Sequence, residues 1–135
     1  MYKFPKSERL CSKIEIAKLF SSKDGFLNYP LSVKFHVNES QSPKVKLVIV
    51  SPKKYQRLSI SRNRIKRLIR EAYRLNSQEI KDFSSGNKIN IYFAFSFVSQ
   101  QMVEFDKINI VVSKSLTRII NELKQRIENN NQIDK

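Results

Sequence analysis

Seven closely spaced side chains in the middle of the chain have the chemistry to bind phosphate groups. Residues 61–74 read SRNRIKRLIREAYR, in which six cations accompany a single acid, Glu71. Guanidinium groups make paired hydrogen bonds to phosphate oxygens, and fixed cations gain affinity for a polyanion by releasing its counterions. The candidate contacts are Arg62, Asn63, Arg64, Lys66, Arg67, Arg70 and Arg74. A solvated surface helix is the alternative, and the shortage of acidic partners speaks against it.

The segment that carries these cations is predicted to be a helix. Ser61 is a suitable N-cap, and no Gly or Pro follows it as far as residue 74. At about 100° per residue, the apolar side chains share one stripe, which consists of Ile65, Leu68, Ile69, Ala72 and Tyr73. Most of the cations occupy the opposite arc. One face of the helix is therefore expected to pack on a core, while the other meets a ligand.

The charge of the whole chain indicates the same class of partner. The chain has 135 residues, the length of one domain, and its formal net charge is +14. Residues 1–74 contain 18 Lys or Arg against five Asp or Glu, whereas residues 75–135 contain eight against seven. We expect a single RNA-binding domain over residues 1–135, with an ordered core at about residues 4–127 and a frayed tail at 128–135. An anionic membrane is the weaker candidate, because no run of eighteen apolar residues occurs.

Side chains that could form a protein active site are few and scattered. His36 stands alone, which is more typical of a surface or packing residue than of a base or ligand, and Cys11 has no histidine nearby in sequence. The acids form no paired cluster, and no glycine-rich phosphate loop is present. The sequence therefore predicts a binding surface without catalytic residues, metal ligands or a small-molecule substrate. The single cysteine also favours a reducing, cytoplasmic location.

Hydrophobic patterns predict the elements that position the basic helix. The capping box S-x-x-E beginning at Ser12 opens a first helix to about residue 21, and a short strand fits within residues 24–30. Further strands are predicted at 31–38, 45–51 and 88–98. The short connection between the strands at 31–38 and 45–51 favours an antiparallel hairpin. Residues 75–87 are polar and end in a loop at 84–87, and a last helix spans about residues 105–127.

The alternating strands leave one face of the predicted sheet partly open beside the first helix. That face would carry Ser32, Lys34, Asn90, Tyr92 and Ser96. Tyr92 and Phe20 could offer aromatic faces to unpaired bases near the cations Lys34, Lys53 and Lys54, an arrangement that suits single-stranded RNA. Core packing is the alternative for both aromatic side chains.

Two motifs in the first half of the chain are specific enough to indicate a family. The sequence SPKK occurs at 51–54, and RNRIKRLIREAYR follows at 62–74. A pattern F-x-K-x-x-R-L and a first helix that ends in Phe precede them, and the matching residues are Phe4, Lys6, Arg9, Leu10 and Phe20. Over about residues 4–127, the chain resembles the protein subunit of bacterial ribonuclease P.

The resemblance implies an α/β (α+β) two-layer sandwich, like the second domain of a small-subunit ribosomal protein and domain IV of elongation factor G. It also implies a left-handed βαβ crossover through the basic helix, against the usual hand. In that family the RNA subunit is the catalyst and removes the 5′ leader from precursor tRNA. The implied partners are therefore ribonuclease P RNA and precursor tRNA. The implied cofactor is Mg2+, held mainly by the RNA and the substrate.

Two binding faces are implied by the same resemblance. The RNR region and the cations that follow it would contact the catalytic RNA. A cleft between the first helix and the open sheet face would hold the single-stranded leader, through Ile16, Phe20, Ser32, Lys34, Val50 and Lys54. Lys53 and Tyr92 join this set on the residue argument above. The chain departs from the family pattern at Ile16, where an aromatic residue is common, at Pro52, and in residues 55–61, which lack a common glycine and look one residue longer.

Two other functions stay open from the sequence. A structural RNA-binding protein of ribosomal type would have the same charge distribution and no part in any reaction. A self-sufficient protein nuclease would need a carboxylate or histidine cluster, and the sequence offers no such cluster.

Overall fold

The structure is a computed structural model that describes residues 13–133, with side chains to residue 129. Its elements are α1 Lys13–Ser21, β1 Gly25–Asn28, β2 Leu31–Glu39, β3 Val45–Val50, α2 Ser59–Asn76, α3 Gln78–Asn87, β4 Ile89–Phe97 and α4 Phe105–Ile133. The mixed α/β class and the short strand before residue 30 are confirmed. Several residues used in the sequence argument lie outside the described part, namely Phe4, Lys6, Arg9, Leu10, Cys11 and Ser12.

The four strands form one sheet in the order β1-β2-β4-β3. β4 pairs antiparallel with β2 and parallel with β3, so the predicted hairpin of β2 and β3 is wrong. The reason lies in β4, where Ile91, Phe93 and Phe95 on one face and Ala94 on the other are all buried. A strand with two apolar faces is most stable in the centre of a sheet, and β4 takes the place between β2 and β3.

The parallel pairing of β3 and β4 requires a crossover, which α2 and α3 provide. The main core lies between the sheet and these helices together with α4, and includes Phe35, Ile69, Phe93, Val112 and Ile119. α1 packs on the opposite face, where Leu19 and Ala94 form a small second core. The sheet thus has the basic helix on one side and α1 on the other.

α2 begins three residues earlier than the sequence predicted. Its N-cap is Leu58 and not Ser61, and the amide of Arg62 donates to the Leu58 carbonyl oxygen. Nothing in residues 59–60 prevents helical geometry, so the first turn forms before the serine that looked like a cap. The apolar stripe is confirmed: Ile65, Ile69, Ala72 and Tyr73 are buried, and the partly buried Leu68 packs beside them.

α3 was missed, and the loop predicted at residues 84–87 is wrong because those residues belong to this helix. The segment is mostly polar, and its two buried residues, Ile80 and Ser84, lie four positions apart on one side of the helix. Because Ser84 is itself polar, no apolar periodicity indicated the helix. The helix ends at Lys88, which adopts a left-handed conformation with φ of 55°. α4 continues to Ile133, and the fraying expected beyond residue 127 stays a prediction.

Candidate nucleic-acid interface

The outer face of α2 presents an uninterrupted set of cations. Arg64, Arg67 and Arg70 are exposed and Lys66 is partly exposed, while the opposite face of the helix is buried against the core. Among the side chains that the structure describes, none of these four cations has a carboxylate within ion-pair distance. With respect to the described side chains, their charge is available to an external polyanion, and their contact with RNA stays a prediction.

Arg74, at the C-terminal end of the same helix, has an acidic neighbour. Its Nη2 atom lies 2.8 Å from Oε1 of Glu71, and its Nε atom lies 3.3 Å from Oε2. The hydrogen bond from the Arg74 guanidinium holds the pKa of the Glu71 carboxyl below its usual value. Because this pair is partly neutralised, Arg74 offers less net charge to a ligand than Arg67 or Arg70.

Arg62 differs from the other predicted contacts because its guanidinium binds the protein's own backbone. The Nη1 atom donates to the carbonyl oxygens of Gln56, at 3.0 Å, and Arg57, at 2.7 Å. Gln56 is buried and its Nε2 atom donates to the Ser99 carbonyl oxygen at 2.9 Å. These bonds fix the segment at residues 52–58, which we call the basic loop, against both α2 and the chain that follows β4.

The basic loop adds three exposed cations to the face of α2, namely Lys53, Lys54 and Arg57. It folds back on itself, since the amides of Tyr55 and Gln56 both donate to the Pro52 carbonyl oxygen. The loop follows β3 directly. It therefore connects the cationic face of α2 to the end of the sheet where β3 stops.

The register of the strands defines the open face of the sheet row by row. In one row Leu27, Ser32, Ser96 and Val50 are neighbours across all four strands. In the next row Lys34, Ala94 and Val48 are neighbours, and beyond them lie His36, Tyr92 and Lys46. Two predicted leader contacts, Ser32 and Val50, thus flank the same residue of β4, although 18 positions separate them in the sequence.

α1 crosses this face over the rows that contain Ala94 and Tyr92. Ile16, Val48 and Tyr92 pack against the buried pair Leu19 and Ala94. The predicted contacts Ile16 and Tyr92 are therefore brought together.

Tyr92 is only partly exposed, and burial raises the pKa of its phenol, with the Glu15 carboxylate adding to the effect. Its ring therefore lines the cleft, and only part of the ring is open for stacking with a base.

The end of α1 borders the part of the sheet that stays open. Phe20 is 38% exposed, and its carbonyl oxygen accepts a hydrogen bond from Nζ of Lys34 at 2.7 Å. These two predicted contacts are therefore adjacent, and the row with Ser32 and Val50 lies next to Lys34 on the same face. The chain leads from Val50 in this row through Ser51 into the basic loop, and we call these residues and the loop together the candidate surface.

Leu27 belongs to this surface and was not predicted from the sequence. It is 64% exposed and pairs with Ser32 at the edge of the open row. Nothing in the sequence pattern of residues 24–30 assigns Leu27 to a face, because β1 is only four residues long and its pairing register is what places the side chain.

The described part of the chain contains no cluster of three or more His, Cys, Asp or Glu side chains that could hold a metal ion. Within the same residues, none of the helices combines the length and the apolar character that crossing a bilayer requires. The surface combines exposed cations with an open row of the sheet, which consists of Leu27, Ser32, Ser96 and Val50.

Sequence comparisons give this surface a family context. A family described as Ribonuclease P matches residues 4–120. The ribonuclease P protein component of Porphyromonas gingivalis is 37% identical over 115 residues, which cover 84% of each chain. That of Methylococcus capsulatus is 34% identical over 79 residues, or 58% of this chain and 60% of the relative. None of these relatives favours the alternative of a ribosomal-type structural protein.

Structural comparisons give the same fold at lower identity. The ribonuclease P protein of Staphylococcus aureus superimposes with a TM-score of 0.56 at 19% identity, over 88% of this chain and 97% of the other. The protein from Thermotoga maritima superimposes with a TM-score of 0.55 at 21% identity, over 85% and 96% of the two chains. These similarities concern the course of the backbone.

Proposed function

This chain belongs to the bacterial ribonuclease P protein family, and we propose that it acts there as the RNA-binding partner of a catalytic RNA. It is thus a subunit of a ribonuclease that processes tRNA. The RNA-binding role is supported by the outer face of α2. Four cations on this face point away from the core and have no acidic partners among the described side chains, namely Arg64, Lys66, Arg67 and Arg70.

The proposed reaction is hydrolysis of one phosphodiester bond in precursor tRNA. Water attacks phosphorus, the 3′ oxygen of the last leader nucleotide leaves, and the phosphate stays on the 5′ end of the mature tRNA. In this proposal the protein binds and orients RNA, and the RNA subunit carries the chemistry. Phosphoryl transfer depends mainly on positioning and charge neutralisation, both of which a cationic protein surface can assist.

Mg2+ would supply neutralisation of the phosphate charge and activation of the attacking water. The described residues contain no group of three His, Cys, Asp or Glu side chains that could hold a metal ion by themselves. We therefore assign no step to an ion held by the protein, and propose that phosphates of the RNA subunit and of the substrate hold it.

The proposed contact with the catalytic RNA is the cationic face of α2. Hydrogen bonds from Arg64, Arg67 and Arg70 to phosphate oxygens would fix the orientation of the protein on the RNA without reading its sequence. Arg62 has a different part, since it holds the basic loop in position. The charge that this loop adds extends the binding face toward the sheet.

The proposed contact with the 5′ leader is the open row of the sheet beside α1. Ser32 and Ser96 supply hydroxyl groups, Leu27 and Val50 supply apolar surface, and Phe20 borders the row. These side chains suit single-stranded RNA, because its unpaired bases offer apolar faces and its phosphates bind cations such as Lys53.

Cleavage of a 5′-extended precursor tRNA tests the proposal. The cognate ribonuclease P RNA is assayed under multiple turnover at low millimolar Mg2+, with and without the protein. We expect strong stimulation by the protein and no cleavage by the protein alone. No stimulation with correctly folded components would reject the cofactor role, and cleavage by RNA-free protein would show that the protein carries the chemistry.

A matched pair of variants connects this assay to the proposed face. Arg67→Ala/Arg70→Ala should lose stimulation at moderate salt. Lys107→Ala/Lys124→Ala removes two exposed cations from α4 and should keep it. Equal loss in both variants would mean that total charge, and not the α2 face, supports activity. The cytoplasmic location and the left-handed crossover stay predictions.

A further inference from the structure

A second group of cations lines a cavity at the end of β3 that lies away from the basic loop. The cavity has a volume of about 340 Å3. Its lining comes from the start of β3 and from the second half of α3, and includes Lys44, Val45, Lys46, Lys81, Ser84 and Ser85. Among the residues that the structure describes, this lining contains three lysines and no carboxylate. The cavity is therefore suited to an anion.

The charge of this cavity is not compensated within the described part of the chain. A second cavity, along α4, is lined by Lys114, Arg118 and Glu122, and Nε of Arg118 lies 3.5 Å from Oε1 of Glu122. Lys44 and Lys46 differ, because neither has a carboxylate within ion-pair distance among the described side chains. Their charges can be neutralised by a ligand.

β3 adds a backbone donor to the cavity because it is an edge strand. The amide of Ile91 donates to the Lys44 carbonyl oxygen at 2.9 Å, and Val45 is the register partner of Ile91. In a parallel ladder with this register, the backbone groups of Lys44 and Lys46 point toward β4, and those of Val45 point away from it. The outer edge of β3 therefore presents the Val45 N–H where Val45 lines the cavity.

The end of α3 opposes an anion less than a free helix end would. The last carbonyl groups of a helix carry partial negative charge. Here the Phe83 carbonyl oxygen accepts a hydrogen bond from Nδ2 of Asn87 at 2.9 Å, and the Ser84 carbonyl oxygen accepts one from the amide of Lys88. Both groups thus have partners within the chain, and the exposed hydroxyl of Ser85 can donate to a ligand.

The cavity is separate from the row of the sheet proposed for the leader. Val45 and Val50 are five positions apart, which is about 17 Å along a strand. Between these two ends of β3, Val48 and Tyr92 pack against the small core beneath α1. A leader bound in the open row would have to pass α1 to reach Lys44. The cavity therefore fits a different part of an RNA.

We propose that this cavity binds a phosphodiester group of RNA outside the 5′ leader, through Lys44, Lys46 and the amide of Val45. Two ammonium groups and a backbone N–H match phosphate oxygens and confer no preference for a base sequence. The net charge of +14 favours a polyanion over an uncharged peptide at this edge. The phosphate belongs either to the RNA subunit or to the body of the tRNA. The proposal rests on the proposed function, because it adds a contact to the same complex.

Lys44→Gln/Lys46→Gln tests the contact and identifies the source of the phosphate. Loss of one phosphate contact should lower the slope of log K against log salt by about one and raise the Kd about fivefold at moderate salt. If the phosphate belongs to the RNA subunit, the effect appears when the protein binds that RNA alone. If it belongs to the tRNA body, the effect appears when the assembled complex binds tRNA, equally for precursor and mature forms. Lys107→Gln/Lys124→Gln removes the same charge from α4 and should change neither affinity.

A second variant reaches the cavity from α3. Ser85→Asp places a carboxylate in the lining and should weaken the same binding step, because like charges repel. Ser85→Asn keeps a neutral polar side chain and should bind nearly as well as the wild type. A loss in the lysine double variant without a loss in Ser85→Asp would contradict a phosphate held between β3 and α3.

Other results would overturn the assignment of the cavity itself. Unchanged affinity for both RNAs would show that it binds no phosphate, and an equal loss in the α4 control would show an effect of net charge alone. A loss confined to precursor tRNA would place the contact on the leader. Lysines also keep edge strands from pairing with one another, so dimers of the glutamine variant in sedimentation, with RNA affinity kept, would assign them that role. Failure of the wild-type protein to bind either RNA would instead reject the proposed function.

Discussion

The Nζ atom of Lys34 lies 2.7 Å from the carbonyl oxygen of Phe20, so a side chain of β2 closes the C-terminal end of α1. The last carbonyl groups of a helix have no partners within the helix and carry partial negative charge. Lys34 satisfies one of them and places its cation where the helix dipole favours it. The bond also sets the distance between α1 and the open row of the sheet.

Lys34→Met should loosen α1 and weaken leader binding. We expect the free energy of unfolding to fall by about 0.5–1 kcal/mol, the usual effect of a cation at an exposed helix end. Affinity for precursor tRNA should fall more than affinity for mature tRNA, which has no leader. Lys46→Met removes the same charge from the same face near Tyr92 and is the control. Equal effects of the two changes on leader preference would contradict a special role for Lys34.

Arg67→Ala/Arg70→Ala should flatten the salt dependence of binding to the RNA subunit. Each lost phosphate contact lowers the slope of log K against log salt by about one, so the double change should lower it by about two. Filter binding over a salt series measures the slope. The control Lys107→Ala/Lys124→Ala should leave the salt slope unchanged. An equal change of slope in both double variants would contradict the assignment of the RNA contact to α2.

Arg62→Lys should affect stability more than RNA binding. A lysine keeps the charge but cannot reproduce the guanidinium that reaches the carbonyl oxygens of Gln56 and Arg57. We expect a loss of about 1–2 kcal/mol in urea unfolding, with the salt slope of RNA binding nearly unchanged. Arg64→Lys, at an exposed position, should leave stability unchanged. If Arg62→Lys were equally harmless, the basic loop would not depend on these two bonds.

Glu71→Gln should reduce the acid sensitivity of the fold. The Arg74 guanidinium lowers the pKa of Glu71 in the folded chain. Such a carboxylate stabilises the fold above its ordinary pKa of 4.5, and the stabilisation is lost as the pH falls through the lower, folded-state pKa. The wild type should therefore lose stability on acidification more steeply than the variant. Glu128→Gln, at an exposed position on α4, is the control and should follow the wild type.

Lys88→Gly should stabilise the protein. Lys88 ends α3 in the left-handed region with φ of 55°, where a side chain with a Cβ is strained and glycine is not. The expected gain in the free energy of unfolding is about 0.5–1 kcal/mol. Lys88→Ala keeps the Cβ and should give no such gain. Equal unfolding curves for both variants would show that the strain is negligible.

The sequence was sufficient for features that depend on local periodicity. Ile65, Ile69 and Tyr73 recur at helical spacing, and Phe93 and Phe95 alternate along a strand, so both burial patterns followed from the residues alone. α3 could not be found in this way because its buried contacts are confined to Ile80 and Ser84.

The contacts that the sequence could not supply depend on distant parts of the chain. The pairing of β2 with β4 places residues about 60 positions apart side by side, and no local pattern decides between that and a hairpin with β3. The two hydrogen bonds from Arg62 to the carbonyl oxygens of Gln56 and Arg57 depend on how the basic loop folds back from Pro52. Most of the candidate surface was predicted residue by residue, but the coordinates were needed to show that Arg62 and Lys34 bind backbone carbonyl oxygens.

The central position of β4 determines when this protein can fold during its synthesis. β4 is the last strand to leave the ribosome, yet β2 and β3 have no other partner on their inner edges. Before then, β1–β2 is the one strand pair of this sheet that can form, and an isolated hairpin is marginally stable in water. The four-stranded sheet therefore cannot form until β4 has left the ribosome, and the strongly cationic first half stays without the core that this sheet provides until then.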